Sequence, residues 1–242
     1  MKIVGFGACL IEGFPHESNV SFFNQLLDSL SSKNNIYDNE IVSLGGFPIT
    51  RAKKYLDKKV IKVKPDIVIL QFGTTDVDIK IKKTLSRRFN LKYSSSNIDM
   101  KLRNVERLNY SYFNRFKLLL KSFIKHLVAK ILRVEPVTNI KDYIDSMEEI
   151  ITSLNSHGIK VVVLAPFIQL DYLTNVRINR YIDKLSDLLK KNNNFYLVNC
   201  NSELLKQEKS EIFIFDGIHF TEKGHSIIAS KISEVLINTR IL

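Results

Sequence analysis

Three side chains in this sequence are of the types that carry out nucleophilic catalysis. Cys9 directly follows a short apolar run, and Asp216 stands three residues before His219. A cysteine sulfur can attack a carbonyl carbon, a histidine can act as its base, and an aspartate can hold the imidazole in the required tautomer. Each residue also has a structural interpretation, because a lone cysteine after a strand is usually a small buried apolar side chain and a lone histidine can be structural. The strands and helices predicted around these residues help to decide between the catalytic and the structural interpretation.

The N-terminal half alternates between strand-like and helix-like segments. The pattern predicts strands at residues 2–6, 40–44 and 66–72, and helices at residues 19–30 and 50–63. The run at 66–72 is continuously apolar, which is typical of a strand buried on both faces. Cys9 therefore lies where the first strand ends, and we expect a helix to begin close behind it, whose positive end would favour a thiolate.

The C-terminal half repeats the alternation. Helices are predicted at residues 140–154, 176–190 and 221–237, and strands at 159–165 and 195–199. Alternating strands and helices predict an α/β fold, a three-layer α/β/α sandwich around a parallel, flavodoxin-like sheet. In such sheets, binding and catalytic sites form at the carboxyl ends of the strands.

Composition indicates one domain spanning residues 1–242. A chain of 242 residues with 45% hydrophobic content can bury one large core. Two cysteines are too few for a disulfide framework, which favours free thiols in a reducing compartment. No apolar stretch approaches the roughly 18 residues of a membrane span, and the N-terminal apolar run is interpreted as a strand. We expect a cytoplasmic protein that can touch a membrane surface peripherally.

Four segments at predicted strand ends resemble the sequence blocks of the SGNH/GDSL hydrolase family. These segments are residues 6–13 (FGACLIEG), 43–46 (SLGG), 65–76 (PDIVILQFGTTD) and 216–224 (DGIHFTEKG). Their order, spacing and shared position at strand ends make the resemblance cover most of the chain. Three positions depart from the family pattern: Ala8 replaces an aspartate, Cys9 replaces the catalytic serine, and Thr75 replaces an asparagine.

The resemblance implies a role for each matching residue. Cys9, His219 and Asp216 would form the catalytic triad, and the backbone N–H groups of Cys9 and Gly46 would hold the oxyanion, with Gly45 nearly as well placed as Gly46. Thr75 occupies the position of a further donor. Its hydroxyl offers one proton and reaches less far than an asparagine amide.

Two functions follow from the resemblance. The first is an acyl ester hydrolase or O-acyltransferase that acts on a small acyl group, in a small molecule or on carbohydrate. The second is a catalytically weak or inactive domain that binds a glycan, lipid or protein partner, because loss of an oxyanion donor can slow catalysis by ~10²–10³-fold. No cofactor is implied, and the sequence shows neither metal-ligand spacing nor a phosphate-binding glycine loop.

A basic segment interrupts the alternation. Residues 79–141 contain 16 Lys/Arg and 3 Asp/Glu, and the rest of the chain contains 20 and 22. The charge of this segment predicts a mostly helical insertion at residues 79–138 that is separate from the sheet.

Within the insertion, residues 113–134 carry apolar side chains at helical spacing, with lysines and arginines mainly elsewhere on the helix. This helix can pack its apolar stripe on the core or on a partner subunit, or it can lie on an anionic membrane surface. Nucleic acid is the least favoured partner, because no known binding module is apparent. The sequence indicates no oligomeric state.

Overall fold

The protein is described from a computed structural model, and the description covers residues 1–31, 38–88, 112–192 and 194–241. A five-stranded sheet with the order β2-β1-β3-β4-β5 forms the centre. All neighbouring strands are parallel. The strands are β1 (Lys2–Gly7), β2 (Asp38–Ser43), β3 (Ile67–Gln71), β4 (Lys160–Leu164) and β5 (Tyr196–Val198). Each lies within two residues of its predicted bounds, and the predicted fold class is confirmed.

Helices cover both faces of the sheet, as expected for parallel strands whose two faces are apolar. They are α1 (Phe22–Ser31), α2 (Lys53–Tyr55), α3 (Ile81–Arg88), α4 (Tyr112–Ile131), α5 (Ile140–Ser156), α6 (Tyr172–Asn192), α7 (Asn201–Leu205), α8 (Lys209–Ile212) and α9 (Glu222–Asn238). One core lies between the sheet and α1, α7, α8 and α9. The other lies between the sheet and α5, α6 and the helical segment around α2. No helix within the described ranges has the length and apolar content needed to cross a bilayer.

The predicted basic helix at residues 50–63 forms, but it is irregular. A 3₁₀ turn (Ile49–Arg51) leads into α2, a π-helical turn (Leu56–Val60) follows, and a second 3₁₀ turn (Ile61–Val63) ends the segment. Its apolar residues still reach the core, because Ile49, Leu56 and Val60 are buried.

The expectation of a helix immediately after Cys9 was wrong. Residues 8–16 form a series of turns instead, in which the backbone N–H of Phe14 donates to the Cys9 carbonyl at 3.2 Å. The first α-helix begins only at Phe22. Cys9 therefore does not lie at a helix N-terminus, and a helix dipole does not supply the positive potential that we expected there.

The two ends of the basic segment lie close together, beside the carboxyl end of β3. Val137 N–H donates to the Asp78 carbonyl at 2.9 Å, and Thr138 N–H donates to the Asp76 carbonyl at 3.1 Å. Of the predicted insertion at 79–138, residues 89–111 lie outside the described part. The described residues between 79 and 138 contain α3 and α4 and no strand.

A buried carboxylate connects three loops at the carboxyl end of the sheet. Asp76 Oδ1 accepts the Ile49 N–H at 3.0 Å and the Thr138 hydroxyl at 2.7 Å, and Oδ2 accepts the Gly73 N–H at 3.0 Å. Burial raises the pKa of Asp76, and the hydrogen bonds from Thr138, Ile49 and Gly73 oppose that rise. The loop after β2, the loop after β3 and the end of the basic segment are thereby joined.

We expect Asp76→Asn to destabilise the fold by about 1–3 kcal/mol, because the new amide group must face N–H or O–H donors and cannot accept their hydrogen bonds. Urea unfolding monitored by circular dichroism measures this change. Asp187→Asn is the control, since Asp187 makes ion pairs only with Lys184 and Lys190 at the exposed end of α6. That variant should stay within about 0.5 kcal/mol of the parent. Equal stability of the two variants would show that Asp76 does not connect the loops.

Candidate active site

The residues proposed from the sequence gather at the carboxyl edge of the sheet. Cys9 lies two residues beyond β1, Gly45 and Gly46 lie just beyond β2, and Thr75 follows β3. The strand register aligns Gly7 with Ser43 on one side and with Gln71 on the other, so the three strands end level with one another. The fourth part of the site is the loop between α8 and α9.

Cys9, His219 and Asp216 form a continuous chain of contacts. Cys9 Sγ lies 3.3 Å from His219 Nε2, and His219 Nδ1 lies 2.6 Å from Asp216 Oδ2. Cys9 is half-buried, and the side chains of His219 and Asp216 are 11% and 12% exposed. The arrangement has the order nucleophile, base and orienting carboxylate, which is the geometry of acyl transfer catalysts.

The loop before α9 fixes the imidazole locally. Asp216 Oδ1 accepts the backbone N–H groups of Ile218 at 2.9 Å and His219 at 3.0 Å, which turns the chain so that both side chains face the same way. Thr221 caps α9 by accepting the Gly224 N–H. The ring of Phe14 packs edge-on against the His219 ring, with the centroids 5.3 Å apart. These contacts hold the imidazole in one orientation.

Electrostatics favour a charged imidazole. Burial lowers the pKa of His219, but the hydrogen bond that its Nδ1–H donates to Asp216 and the contact with Cys9 more than compensate and raise this pKa to about 9. Burial raises the pKa of Asp216, and the hydrogen bond and charge of His219 outweigh this effect and lower the pKa below its usual value. The two shifts agree with each other, because each partner stabilises the charged form of the other.

The predicted oxyanion donors are not all available in this structure. The Cys9 N–H donates to the Gly45 carbonyl at 3.0 Å, and the Gly45 N–H donates to the Ser43 hydroxyl at 3.2 Å. Within the described chain, the Gly46 N–H has no hydrogen-bond partner, and Gly46 is exposed. Gly45 has a φ of +57°, a conformation that favours glycine. The peptide between the two glycines therefore directs its carbonyl, and not its N–H, toward Cys9.

Thr75 lies in the turn that follows β3. It is half-buried, and its carbonyl accepts the Asp78 N–H at 3.3 Å. The glycine two residues earlier, Gly73, has a φ of +118° and lies so close to Pro166 that a Cβ would come within 2.4 Å of the proline ring. Only glycine fits there, so the backbone that carries Thr75 is sterically constrained.

Two further histidines lie beside the site. His16 places Nε2 2.9 Å from the Phe220 carbonyl. His225, which was missed, is fully buried in α9 and accepts the Phe22 N–H through Nδ1 at 3.2 Å. Burial and the neighbouring histidines His16 and His219 lower the pKa of His225 to about 3, so it is neutral. The sequence could have indicated its burial, because His225 lies at helical spacing from the apolar residues Ile228, Ala229 and Ile232 of α9.

The two cysteines are both free, as expected, and their environments differ. Cys200 is 1% exposed at the start of α7. Burial, together with the charge of Glu203, raises the pKa of the Cys200 thiol to about 12. Cys200 is therefore a packing residue, and Cys9 is the thiol that contacts an imidazole.

A cavity of about 250 Å³ adjoins the site. Its wall is formed by the Asp216–Ile218 loop, the segment around Gln169 and Asp171, and the residues Leu118, Lys121 and Lys125 of α4. A larger cavity, about 840 Å³, lies at the opposite edge of the sheet, beside residues 64–67 and 157–160. The smaller cavity is the relevant one, because sites in parallel sheets form at the carboxyl ends of the strands. The described residues contain no cluster suited to holding a metal ion.

Comparisons with known proteins agree with this fold. The model of the GDSL-like lipase/acylhydrolase family matches residues 5–227. No curated protein sequence matches the chain significantly.

Similar solved structures include a lipase/acylhydrolase from Enterococcus faecalis, at 15% identity and a TM-score of 0.65 over 98% of this chain and 96% of that one. An acetyl xylan esterase, AlAXEase, has 16% identity and a TM-score of 0.64 over 98% and 100%. The esterase EstA from Pseudoalteromonas sp., crystallised with monoethylphosphonate as inhibitor, has 11% identity and a TM-score of 0.64 over 98% and 97%. At these identities the structures show a shared fold.

The raised pKa of His219 should make the stability of the fold depend on pH. The folded-state value of about 9 lies above the ordinary 6.5. The stabilisation from the charged imidazole is therefore complete below about pH 6.5 and is lost as the pH rises toward about 9. We expect the free energy of urea unfolding to fall more in the parent than in His219→Gln over this range. His157→Gln, at an exposed helix end, is the control and should show the same fall in the free energy of unfolding as the parent. If the parent loses no more stability than His219→Gln over this range, the imidazole of His219 is not charged in the folded protein.

Proposed function

We propose that this chain, which belongs to the GDSL-like lipase/acylhydrolase family, cleaves or transfers a small ester-linked acyl group with Cys9 as the nucleophile. His219 is the base, and Asp216 orients it. The observation that carries the proposal is the 3.3 Å contact between Cys9 Sγ and His219 Nε2, with Asp216 on the far side of the ring. A charged imidazole at that distance favours the thiolate, which is the nucleophilic form of cysteine.

The reaction proceeds in two steps. Cys9 Sγ forms a bond to the ester carbonyl carbon, the carbon–oxygen bond to the alcohol breaks, and the alcohol takes a proton from His219. The acyl group is then held as a thioester on Cys9. Water attacks this thioester and gives a proton to His219, and the carboxylic acid leaves as the carbon–sulfur bond breaks. If a hydroxyl of an acceptor molecule replaces the water, the same steps transfer the acyl group.

Oxyanion stabilisation requires the Gly45–Gly46 peptide to turn over. Rotation by about half a turn would release the Cys9 N–H and direct the Gly46 N–H toward the reacting carbonyl, giving two backbone donors. Glycine on both sides of the peptide makes this rotation inexpensive, because glycine adopts positive and negative φ about equally. A Cβ at either glycine would meet no atom within 4 Å, so neither Cα is enclosed by packed side chains. We assign the third donor position to the Thr75 hydroxyl.

A small acyl group on carbohydrate is the substrate class that we favour. The cavity beside Asp216 has a volume of about 250 Å³, which suits a small group better than a long acyl chain. Similar structures include a protein described as an acetyl xylan esterase. An acetyl ester on a sugar hydroxyl is therefore the first substrate to test.

A catalytically inactive binding domain is the second candidate. The observation that favours it is the hydrogen bond from the Cys9 N–H to the Gly45 carbonyl, which leaves the oxyanion site blocked in this conformation. In that case Cys9 would still contact His219, but it would not be acylated.

Chemical labelling separates these two functions. If Cys9 is the nucleophile, we expect iodoacetamide to alkylate Cys9 much faster than Cys200 in the folded protein, because Cys200 is buried and its pKa is raised to about 12. His219→Ala should slow Cys9 labelling at neutral pH by about tenfold or more, since the charge that favours the thiolate is lost. Mass spectrometry of tryptic peptides measures both rates, and Cys200 serves as the internal control.

An activity assay tests the reaction itself. We expect the parent to release acetate from an acetylated xylo-oligosaccharide or from p-nitrophenyl acetate, with loss of activity in Cys9→Ala and a decrease of several hundredfold or more in Asp216→Asn. Cys200→Ala is the matched control and should retain activity. Rapid Cys9 alkylation without ester cleavage would point to another acyl substrate or to transfer, whereas an inert Cys9 in folded protein would support the binding domain.

A further inference from the structure

Helix α4 has its polarity reversed relative to an ordinary surface helix. At 3.6 residues per turn, its outward side carries seven large apolar side chains with exposures of 46–69%: Phe116, Leu119, Leu120, Phe123, Ile124, Leu127 and Ile131. We call these seven residues the outer face. Packing of the apolar stripe on the core was one alternative expected from the sequence, and it is wrong for the described residues. Of the helix, only Ala129 is a buried apolar residue among those described.

The side of α4 that contacts the domain is polar. The Ser122 hydroxyl donates to Asp171 at 2.6 Å, and His126 Nε2 lies 3.1 Å from the same carboxylate. Lys125 forms an ion pair with Asp78 at 3.1 Å. Burial raises the pKa of Asp171, but the hydrogen bonds from Ser122 and His126 lower it to about 2. These contacts fix the rotation of the helix about its axis, so the outer face is held pointing away from the domain.

Positive charge borders the outer face on both sides. Lys117 and Lys121 follow one edge along the helix, and Lys130 lies at the other. The sequence of α4 from Tyr112 to Ile131 contains no aspartate or glutamate. An apolar strip bordered by lysines, without acidic residues, is complementary to a surface that is apolar inside and negatively charged at its boundary.

We propose that the outer face of α4 docks on the surface of a lipid bilayer that contains anionic headgroups. The apolar side chains would enter the boundary between headgroups and acyl chains, and the bordering lysines would contact the lipid phosphates. Nucleic acid fits poorly, because its interfaces are polar and seven apolar side chains occupy the centre of this face.

Docking in this way would place the candidate active site near the membrane. Leu118 and Lys121 of α4 line the same 250 Å³ cavity as the Asp216–Ile218 loop. Docking does not depend on Cys9 chemistry, so Cys9→Ala should bind vesicles as the parent does. A failure of the proposed reaction and a failure of membrane docking can therefore be told apart.

Vesicle flotation tests the proposal directly. We expect the full chain to float with vesicles of phosphatidylcholine and phosphatidylglycerol, to bind pure phosphatidylcholine vesicles at least tenfold more weakly, and to lose most binding to anionic vesicles between about 0.1 M and 1 M salt. The double variant Phe123→Ser with Leu127→Ser should weaken binding at least tenfold, because each side chain loses its apolar burial in the bilayer. Lys117→Glu with Lys130→Glu should weaken binding to anionic vesicles by a similar factor.

Matched variants elsewhere serve as controls. Leu205→Ser removes a side chain that is 56% exposed on α7, and Lys54→Glu with Lys58→Glu reverses two exposed charges in the helical segment around α2. Both should bind vesicles like the parent, and circular dichroism checks that every variant is folded. Absence of flotation, equal binding to neutral and anionic vesicles, or a dimer that Phe123→Ser with Leu127→Ser dissociates in light scattering would each overturn the proposal.

Discussion

Asp76 accepts hydrogen bonds from three separate parts of the chain, and the positions of the site loops follow from this arrangement. Its carboxylate holds the start of the helical segment behind Gly46, the turn that carries Thr75, and Thr138 at the end of the basic segment. The carboxylate is fully buried, so its cost of desolvation must be met by these donors. The Asp76 carboxylate thus positions two loops of the candidate site, and it also joins the two ends of the insertion that contains α4.

The fold and the pairing of His219 with Asp216 could be predicted because both depend on short-range patterns. Continuous apolar runs such as residues 66–72 specify strands buried on both faces, and an aspartate three residues before a histidine can reach its ring through one turn of the chain. The meeting of Cys9 with His219 across 210 residues was expected from the family resemblance and from the rule that sites form where strand ends converge. Neither residue alone indicates the other, so the expectation depended on placing both segments at the same edge of the sheet.

Other features could not be predicted because the sequence leaves two conformations equally open. The Gly45–Gly46 peptide can point its carbonyl or its N–H toward Cys9, and glycine gives no preference between them. The period of apolar residues in α4 identifies a stripe but not the direction in which it faces. That direction is determined by Asp171 and Asp78, which are distant in sequence and bind the polar side of the helix. The turns at residues 8–16 were also missed, although the helix that follows them was predicted at residues 19–30 and forms at Phe22–Ser31.

The reversed polarity of α4 also changes the thermodynamics of its attachment. Most helices detach from a domain by exposing apolar surface, which produces a large heat-capacity change and a strong dependence on denaturant. The described contacts of α4 are mainly hydrogen bonds and an ion pair, from Ser122, Lys125 and His126. Among the described side chains, detachment of α4 would therefore expose little apolar area beyond Ala129 and Leu118. We expect the free energy of this detachment to depend more on ionic strength than on denaturant concentration.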